Sequence, residues 1–118
     1  MPELAPRQKL WVERDGRVVM SDYRLRLLEL VRDTGSLAQA ATAMKLSYRR
    51  AWGKVKEIEE NLGYALVESA VGGAGGGRTT LTPAGVELVE AYGRFKARMD
   101  EVLERVYREE MPGPAEGG

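Results

Sequence analysis

Serine and glycine residues at short intervals divide the first half of this chain into three helices. Ser21, Ser36 and Ser47 each precede a run with apolar residues at helical spacing, and a serine hydroxyl can accept a hydrogen bond from the free amides of a first helical turn. Gly35 and Gly63 follow two of these runs, where glycine adopts the left-handed conformation that ends a helix. The pattern predicts helices from Asp22 to about Thr34, from Leu37 to Met44 and from Tyr48 to about Leu62.

The second and third of these helices have the spacing of a helix-turn-helix. Ala40 and Ala41 are small residues on the apolar side of the second helix, and small residues allow another helix to cross closely. Residues 45–47 form a tight connection in which Leu46 points back to the core. The core stripe of the third helix is spaced four, three and four residues apart: Ala51, Val55, Ile58 and Leu62.

A glycine-rich stretch between two short strands follows the third helix. Residues 65–68 and 79–81 read as strands, and the segment from Val71 to Arg78 contains five of the chain's 14 glycines. Such a segment cannot pack a core. We therefore expect a flexible wing, with its candidate contacts at Gly72, Gly73, Gly75, Gly76, Gly77, Arg78 and Thr79. A nucleotide-binding P-loop is the alternative, but the stretch lacks the lysine-serine or lysine-threonine ending of that motif.

The two ends of the chain complete the predicted architecture. Residues 9–14 and 17–20 flank Asp15-Gly16, a typical hairpin turn, with Trp11 expected in the core. Thr82-Pro83 begins a helix that continues to about Glu110. Its apolar residues alternate by four and three, the seam of a coiled coil, and predict a dimer interface formed by Leu88, Tyr92, Phe95, Met99, Val102 and Val106.

The fold class is thus mainly α with small β: a winged helix-turn-helix with an N-terminal hairpin and a long C-terminal dimerisation helix. We place the boundaries at 1–8 for a flexible N-terminus, 9–82 for the winged helix-turn-helix, 83–110 for the long helix and 111–118 for a disordered tail.

Charge is balanced over the whole chain but not along it. The sequence has 18 basic and 18 acidic residues, which by itself argues against a nucleic-acid partner. Residues 36–58, however, contain five basic residues and one acidic residue, a local net charge of +4. This segment predicts a recognition helix that reads double-stranded DNA. Its candidate contacts are Ser47, Tyr48, Arg49, Arg50, Gly53, Lys54 and Lys56, together with Ser36 and Lys45 from the preceding helix and turn.

Several of these assignments have a plainer alternative. The basic face of the third helix is also compatible with simple solvation, and each arginine can pair with guanine or grip a phosphate. Tyr48 suits a phosphate contact through its hydroxyl as well as a packing role, whereas Trp52 is expected to pack against the core. A winged-helix module that binds another protein, and never DNA, is the alternative function.

The absence of histidine and cysteine excludes most catalysis. Neither a thiolate nucleophile nor an imidazole base nor a zinc site of the Cys/His type is available. Adjacent carboxylates such as Glu59-Glu60 lie on exposed helix and diverge, so that we expect no enzyme, no metal and no cofactor. No apolar run approaches the roughly 20 residues of a membrane helix, and we expect a cytoplasmic protein without membrane contacts.

Five short motifs resemble the N-terminal DNA-binding domain of the ModE family of molybdate-responsive regulators. The resemblance covers about residues 9–99 and rests on Gly-Ser-Leu-Ala-Gln-Ala-Ala at 35–41, Leu-Ser-Tyr-Arg-Arg-Ala-Trp at 46–52, Val-Glu at 67–68, Gly-Gly-Ala-Gly-Gly-Gly at 72–77 and Leu-Thr-Pro-Ala-Gly at 81–85. The Gly-Ser-Leu element of the first motif and the Leu-Thr element of the last are shared with LysR-type regulators.

The resemblance implies a dimeric winged-helix regulator whose recognition helix opens at residues 47–50. In the ModE family, separate C-terminal domains bind molybdate or tungstate, and the loaded dimer typically represses molybdate-transport genes. Here the chain stops after the long helix, and the expectation is that those domains are absent. Either the protein binds DNA without an effector, or a separate oxyanion-sensing protein is its partner.

Overall fold

The computed structural model describes residues 4–70 and 77–113. In chain order its elements are β1 (Trp11–Arg14), β2 (Arg17–Ser21), α1 (Asp22–Thr34), α2 (Leu37–Ala43), α3 (Tyr48–Leu62), β3 (Val67–Ala70), β4 (Arg78–Leu81) and α4 (Pro83–Glu110). The strands form two antiparallel pairs, β1 with β2 and β3 with β4. The winged helix-turn-helix with a long final helix is confirmed. The expected strand at 65–68 begins two residues later, and Gly72, Gly73, Gly75 and Gly76 lie outside the described residues.

Helices α1, α2 and α3 enclose the core. Ala40 and Ala41 of α2 and Ala51 of α3 are at most 2% exposed, because the two helices of the helix-turn-helix cross where both present only a methyl group. Leu28 of α1 and Ile58 of α3 are fully buried beside them. The serine hydroxyls at 21, 36 and 47 accept hydrogen bonds from the amides of Arg24, Gln39 and Arg50, as the capping pattern predicts.

The β1–β2 hairpin turns at Asp15 and Gly16, which both have positive φ, as a two-residue turn between twisted strands requires. A bulge shifts the register between Val12 and Glu13. Because a bulge re-aims a side chain, the consecutive residues Val19 and Met20 are both buried, at 4% and 1% exposure.

The prediction that Trp11 belongs to the core is wrong. Its side chain is 54% exposed, and its indole N–H donates to the Glu13 carboxylate, 2.7 Å away. Every residue of β1 is exposed, so the strand is an outer ribbon whose inner partner β2 supplies the buried side chains. The alternation of residues along a strand predicts that side chains point to two faces. It does not predict that both faces stay uncovered, as they do in β1.

Helix α4 packs on the domain through its first half and then extends past the core. Thr82 is its N-cap, and its side chain accepts from the Gly85 amide. Val89 and Tyr92 are buried, at 2% and 4% exposure. The Tyr92 hydroxyl donates to the carbonyl of Leu10, 3.1 Å away, and the Lys96 ammonium lies 3.2 Å from the Asp22 carboxylate. These contacts attach the first half of α4 to the hairpin and to α1.

Candidate nucleic-acid interface

The first turn of α3 presents two arginines to solvent. Ser47 caps the helix through its hydroxyl, 3.1 Å from the Arg50 amide. Arg49 and Arg50 are both exposed, and Ala51, the next residue along, is fully buried. The burial of Ala51, Val55 and Ile58 fixes the rotation of α3, and this rotation directs Arg49 away from the core.

Further along the same helix, Gly53 leaves the backbone uncovered. A Cβ atom built at this position would meet nothing within 4 Å apart from the adjacent residues and the backbone of its own helix, so that packing against other described segments does not require a glycine here. The bare backbone permits the close approach of a large partner.

The lysines of α3 are held by aromatic rings. The Lys54 ammonium lies 5.1 Å from the centre of the Tyr23 ring, and the Lys56 ammonium lies 5.1 Å from the centre of the Trp52 ring. Each contact partly orients the ammonium group over the face of the ring. Lys54 is half-buried and Lys56 is exposed.

Two of the three acidic side chains of α3 are engaged with other groups. The Glu57 carboxylate pairs with the Arg24 guanidinium at 3.3 Å. The Glu59 carboxylate accepts from the backbone amides of Leu66 and Val67 and from the Lys56 ammonium. The exposed face at the start of α3 therefore carries a positive potential that these acids offset only in part.

The turn before α3 adds another cation. Lys45 is exposed and has a φ of 58°, a left-handed conformation that residues other than glycine seldom adopt. The Leu46 amide donates to the Ala41 carbonyl at 2.8 Å, which closes the turn. Ser36 is at the other end of α2, where its hydroxyl accepts from the Gln39 amide at 3.0 Å.

The base of the wing adjoins this surface. The Thr79 amide donates to the Gly35 carbonyl at 3.0 Å, joining β4 to the turn between α1 and α2. Gly77 and Arg78 are exposed, and a Cβ atom at Gly35 would lie 3.4 Å from the Arg78 guanidinium. Thr79, the last of the predicted wing contacts, is only 6% exposed, and its small remaining surface lines a groove beside the wing.

An open groove of about 440 Å³ separates the wing from the helix-turn-helix. Its walls combine Arg78 with four hydroxyl-bearing residues: Ser36, Tyr48, Ser69 and Thr79. Tyr48 is 53% exposed and meets Trp52 edge to face, with 6.3 Å between the ring centres. Trp52 is partly buried against the core, as expected, while the Tyr48 hydroxyl stays available.

Sequence reasoning missed three residues of this region. Tyr23 of α1 orients Lys54 of α3, and no pattern of neighbouring residues in the sequence predicts such a contact between two helices. Glu59 was expected on exposed helix but is partly buried. A Cβ atom at Gly85 would lie 2.3 Å from the Leu66 carbonyl oxygen. A glycine in the first turn of a helix is the one available signal for such a close approach.

The apolar seam of α4 divides into two parts. Tyr92 belongs to the core of its own chain, which corrects its assignment to an interface between chains, and Leu88 is partly buried against that core. Phe95 and Val106 are each 43% exposed, and Met99 and Val102 are half-exposed between them. These four residues, which we call the α4 stripe, cover about three turns of one helix face.

Among the described residues, no group of three or more histidine, cysteine or acidic residues is arranged to hold a metal ion. No helix in the same part of the chain is long and apolar enough to span a membrane.

Together, the three-helix core, the crossing of α2 and α3 and the strand pair after α3 define a winged helix-turn-helix domain. Residues 23–86 match the family model described as bacterial regulatory helix-turn-helix protein, lysR family. The chain belongs to this family.

Two relatives each match two thirds or more of this chain. The chain is 37% identical over 105 residues to the molybdenum-pterin-binding protein MopB of Rhodobacter capsulatus, which covers 89% of this chain and 38% of MopB. It is 39% identical over 79 residues to the molybdenum transport protein ModE of Herbaspirillum seropedicae, covering 67% of this chain and 29% of ModE. The chain therefore spans less than two fifths of the length of these relatives.

A solved structure shares the fold. The CbnR DNA-binding domain, crystallised as a complex with DNA, superposes with a TM-score of 0.59 at 23% identity, over 76% of this chain and 98% of that one. The described arrangement of helices and strands is thus one that other helix-turn-helix proteins adopt.

Proposed function

We propose that the protein is a dimeric, sequence-specific DNA-binding transcriptional regulator. The observation that carries this proposal is the pair of exposed arginines, Arg49 and Arg50, in the first turn of a capped second helix of a helix-turn-helix. A recognition helix contacts base edges through its N-terminal residues. Arginine is the side chain best suited to guanine, because its guanidinium can donate to O6 and N7 together.

Around these arginines, further groups suit the sugar-phosphate backbone. Lys45, Lys54 and Lys56 supply point charges, and Gly53 permits close approach of the duplex. On the wing side, Arg78 and Gly77 face the groove that also contains Ser36 and Tyr48. Phosphate contacts of this kind fix the register of a protein on DNA but do not read its sequence.

We further propose that a second copy of the chain covers the α4 stripe. Phe95 and Val106 are each 43% exposed, and exposed apolar stripes of this kind are typical of interaction sites. A two-fold dimer through α4 places two recognition helices on successive major grooves, about 34 Å apart.

The relatives' names suggest what the regulator controls. Two of them are called a molybdenum-pterin-binding protein and a molybdenum transport protein. We therefore propose genes of molybdenum uptake or use as targets. The described residues include no candidate oxyanion site that we assign, and a separate oxyanion-sensing protein is a partner consistent with such a role.

The test of DNA binding is a fluorescence anisotropy titration of the full chain against its own upstream region and a shuffled duplex of equal length, at several salt concentrations. We expect preferential binding that weakens with salt. Replacing the arginine that reads a base, by Arg49→Ala or Arg50→Ala, is expected to cost about 1–3 kcal/mol, concentrated on the cognate duplex. Arg94→Ala, an exposed arginine of α4, is the matched control.

A protein-interaction module that never meets DNA is the second candidate, favoured by the exposed α4 stripe. It predicts retention on a DNA or heparin column that is indifferent to salt. Affinity for DNA that stays undetectable at low salt would exclude the proposed regulator and favour this candidate.

A further inference from the structure

Glu59 differs from the other carboxylates of α3. Its side chain is only 11% exposed, against 58% for Glu57. One carboxylate oxygen accepts from the Leu66 amide at 2.7 Å and from the Val67 amide at 3.2 Å, and the other oxygen lies 3.2 Å from the Lys56 ammonium. Hydrogen bonds to an ionised acceptor are about twice as strong as neutral ones. The carboxylate thus attaches α3 to the start of the wing.

The opposite side of the same short segment holds α4. The Leu66 carbonyl accepts from the Thr82 amide at 2.9 Å, and the Thr82 hydroxyl donates to the Ala65 carbonyl at 2.9 Å. That hydroxyl also accepts from the Gly85 amide at 2.9 Å. We call residues 65–67 the junction segment.

The junction segment leaves little freedom for either helix. The Leu66 side chain is fully buried, and Gly85 lies so close to its carbonyl that a single added carbon would be 2.3 Å from the oxygen. The Glu59 carboxylate of α3 therefore accepts from two amides of the junction segment. Thr82, the N-cap of α4, donates to two carbonyls of the same segment. These bonds connect α3 to α4 through the junction segment.

We infer that Glu59 is a positioning residue for DNA recognition: its carboxylate fixes the angle between α3 and α4 through the junction segment. In a dimer joined by α4, that angle sets the separation of the two recognition helices, and with it the half-site spacing that the protein accepts. This inference rests on the dimer of the proposed function.

The direct test measures the angle without DNA. Because the chain contains no cysteine, nitroxide labels attach only at introduced sites, Glu60→Cys on α3 and Glu101→Cys on α4, both exposed. The labelled full chain is diluted with unlabelled chain, and the distance distribution is recorded by pulsed electron resonance. We expect a narrow distribution that broadens or shifts when Glu59→Gln is added. An unchanged narrow distribution would overturn the inference.

The functional test uses duplexes with two copies of a half-site selected from a random library by the wild-type protein. The spacing between the half-sites is varied by single base pairs. We expect the wild type to favour one spacing by about tenfold or more and Glu59→Gln to lose most of this preference, while its affinity for a single half-site changes little. If Glu59→Gln lowers the affinity for the single half-site as much as the affinity for the preferred spacing, the role of Glu59 is merely structural.

Glu60→Gln, the exposed neighbour on the same helix, is the matched control and should keep the wild-type profile. If Glu59→Gln does not fold, Gly85→Ala tests the same junction with the carboxylate intact, because it pushes α4 off the Leu66 carbonyl. A wild-type label distance and spacing preference in that folded variant would overturn the inference. Absence of DNA binding would refute the proposed function instead, and the label distances would still test the junction.

Discussion

Helices α3 and α4 start in the same way but use their apolar faces differently. Each has a hydroxyl N-cap, Ser47 or Thr82, that accepts from an amide in the first turn. Helix α3 buries Ala51, Val55 and Ile58 completely within its own chain. Helix α4 buries Val89 and Tyr92 and then leaves the α4 stripe exposed beyond them.

The difference follows from length. Helix α3 has 15 residues and ends at Gly63, which has a left-handed conformation, so that it remains within the width of the core. Helix α4 has 28 residues, about 42 Å at 1.5 Å per residue. A core of this size covers only its first half. In α3, the apolar spacing thus supports packing within the chain. In α4, we propose that a similar spacing supports pairing between two chains.

The largest expected effect is on the buried face of α3. Ile58→Ala should lower the free energy of unfolding by about 2–5 kcal/mol, because it removes a fully buried side chain and leaves a cavity. Chemical denaturation at several protein concentrations measures this loss. Val106→Ala on the exposed stripe is the control, and an equal loss from both would contradict the distinction between the two helices.

Truncation within the α4 stripe should instead weaken self-association. Phe95→Ala is expected to lower the free energy of dimer dissociation by about 2 kcal/mol, the size of an interface hot spot. Sedimentation equilibrium measures it, and Arg94→Ala is a control on a neighbouring position. A wild-type protein that is monomeric at micromolar concentration would refute the proposed interface.

Removal of the two N-cap hydroxyls should destabilise the chain to different extents. Thr82→Ala is expected to destabilise the chain by about 1–2 kcal/mol, towards the upper end for an N-cap, because its hydroxyl also donates to the Ala65 carbonyl. Ser47→Ala removes one cap bond only, that to the Arg50 amide, and should cost about 1 kcal/mol or less. Thermal unfolding of both variants shows which substitution costs more stability. A larger loss of stability in Ser47→Ala would contradict the role assigned to the junction segment.

The last expected effect depends on pH and concerns Tyr92, at the boundary between the two halves of α4. Burial, and then the nearby Asp22 carboxylate, raise the pKa of its phenol above the usual value near 10. The unfolded chain ionises first as the pH rises past about 10, so stability falls above that pH and is unaffected below it. Tyr92→Phe should abolish this alkaline loss while costing about 0.5–1.5 kcal/mol at neutral pH through the lost bond to Leu10.

Denaturation midpoints between pH 8 and pH 11, measured on wild type and on Tyr92→Phe, check this expectation. Tyr64→Phe, a 43% exposed tyrosine, is the control. Identical alkaline profiles for wild type and Tyr92→Phe would show that the buried phenol is not responsible.

Much of the fold could be predicted because its signals are local. The capping serines at 21, 36 and 47 and the glycines at 35 and 63 mark helix ends through bonds within a few residues. The exposure of Arg49 and Arg50 follows from the buried stripe of the same helix. The errors concern side chains whose environment comes from distant segments: Trp11, which is 54% exposed, and Tyr92, which is buried in the core of its own chain.

The sequence by itself determined the order and ends of the helices and the basic start of α3, since caps, periodicity and local charge act over a few residues. Only the tertiary structure decided that Glu59 binds the junction segment, that Gly85 must lack a side chain and that Tyr92 belongs to the core. Each of these depends on atoms brought together from separate parts of the chain, and no spacing along the sequence encodes their distance.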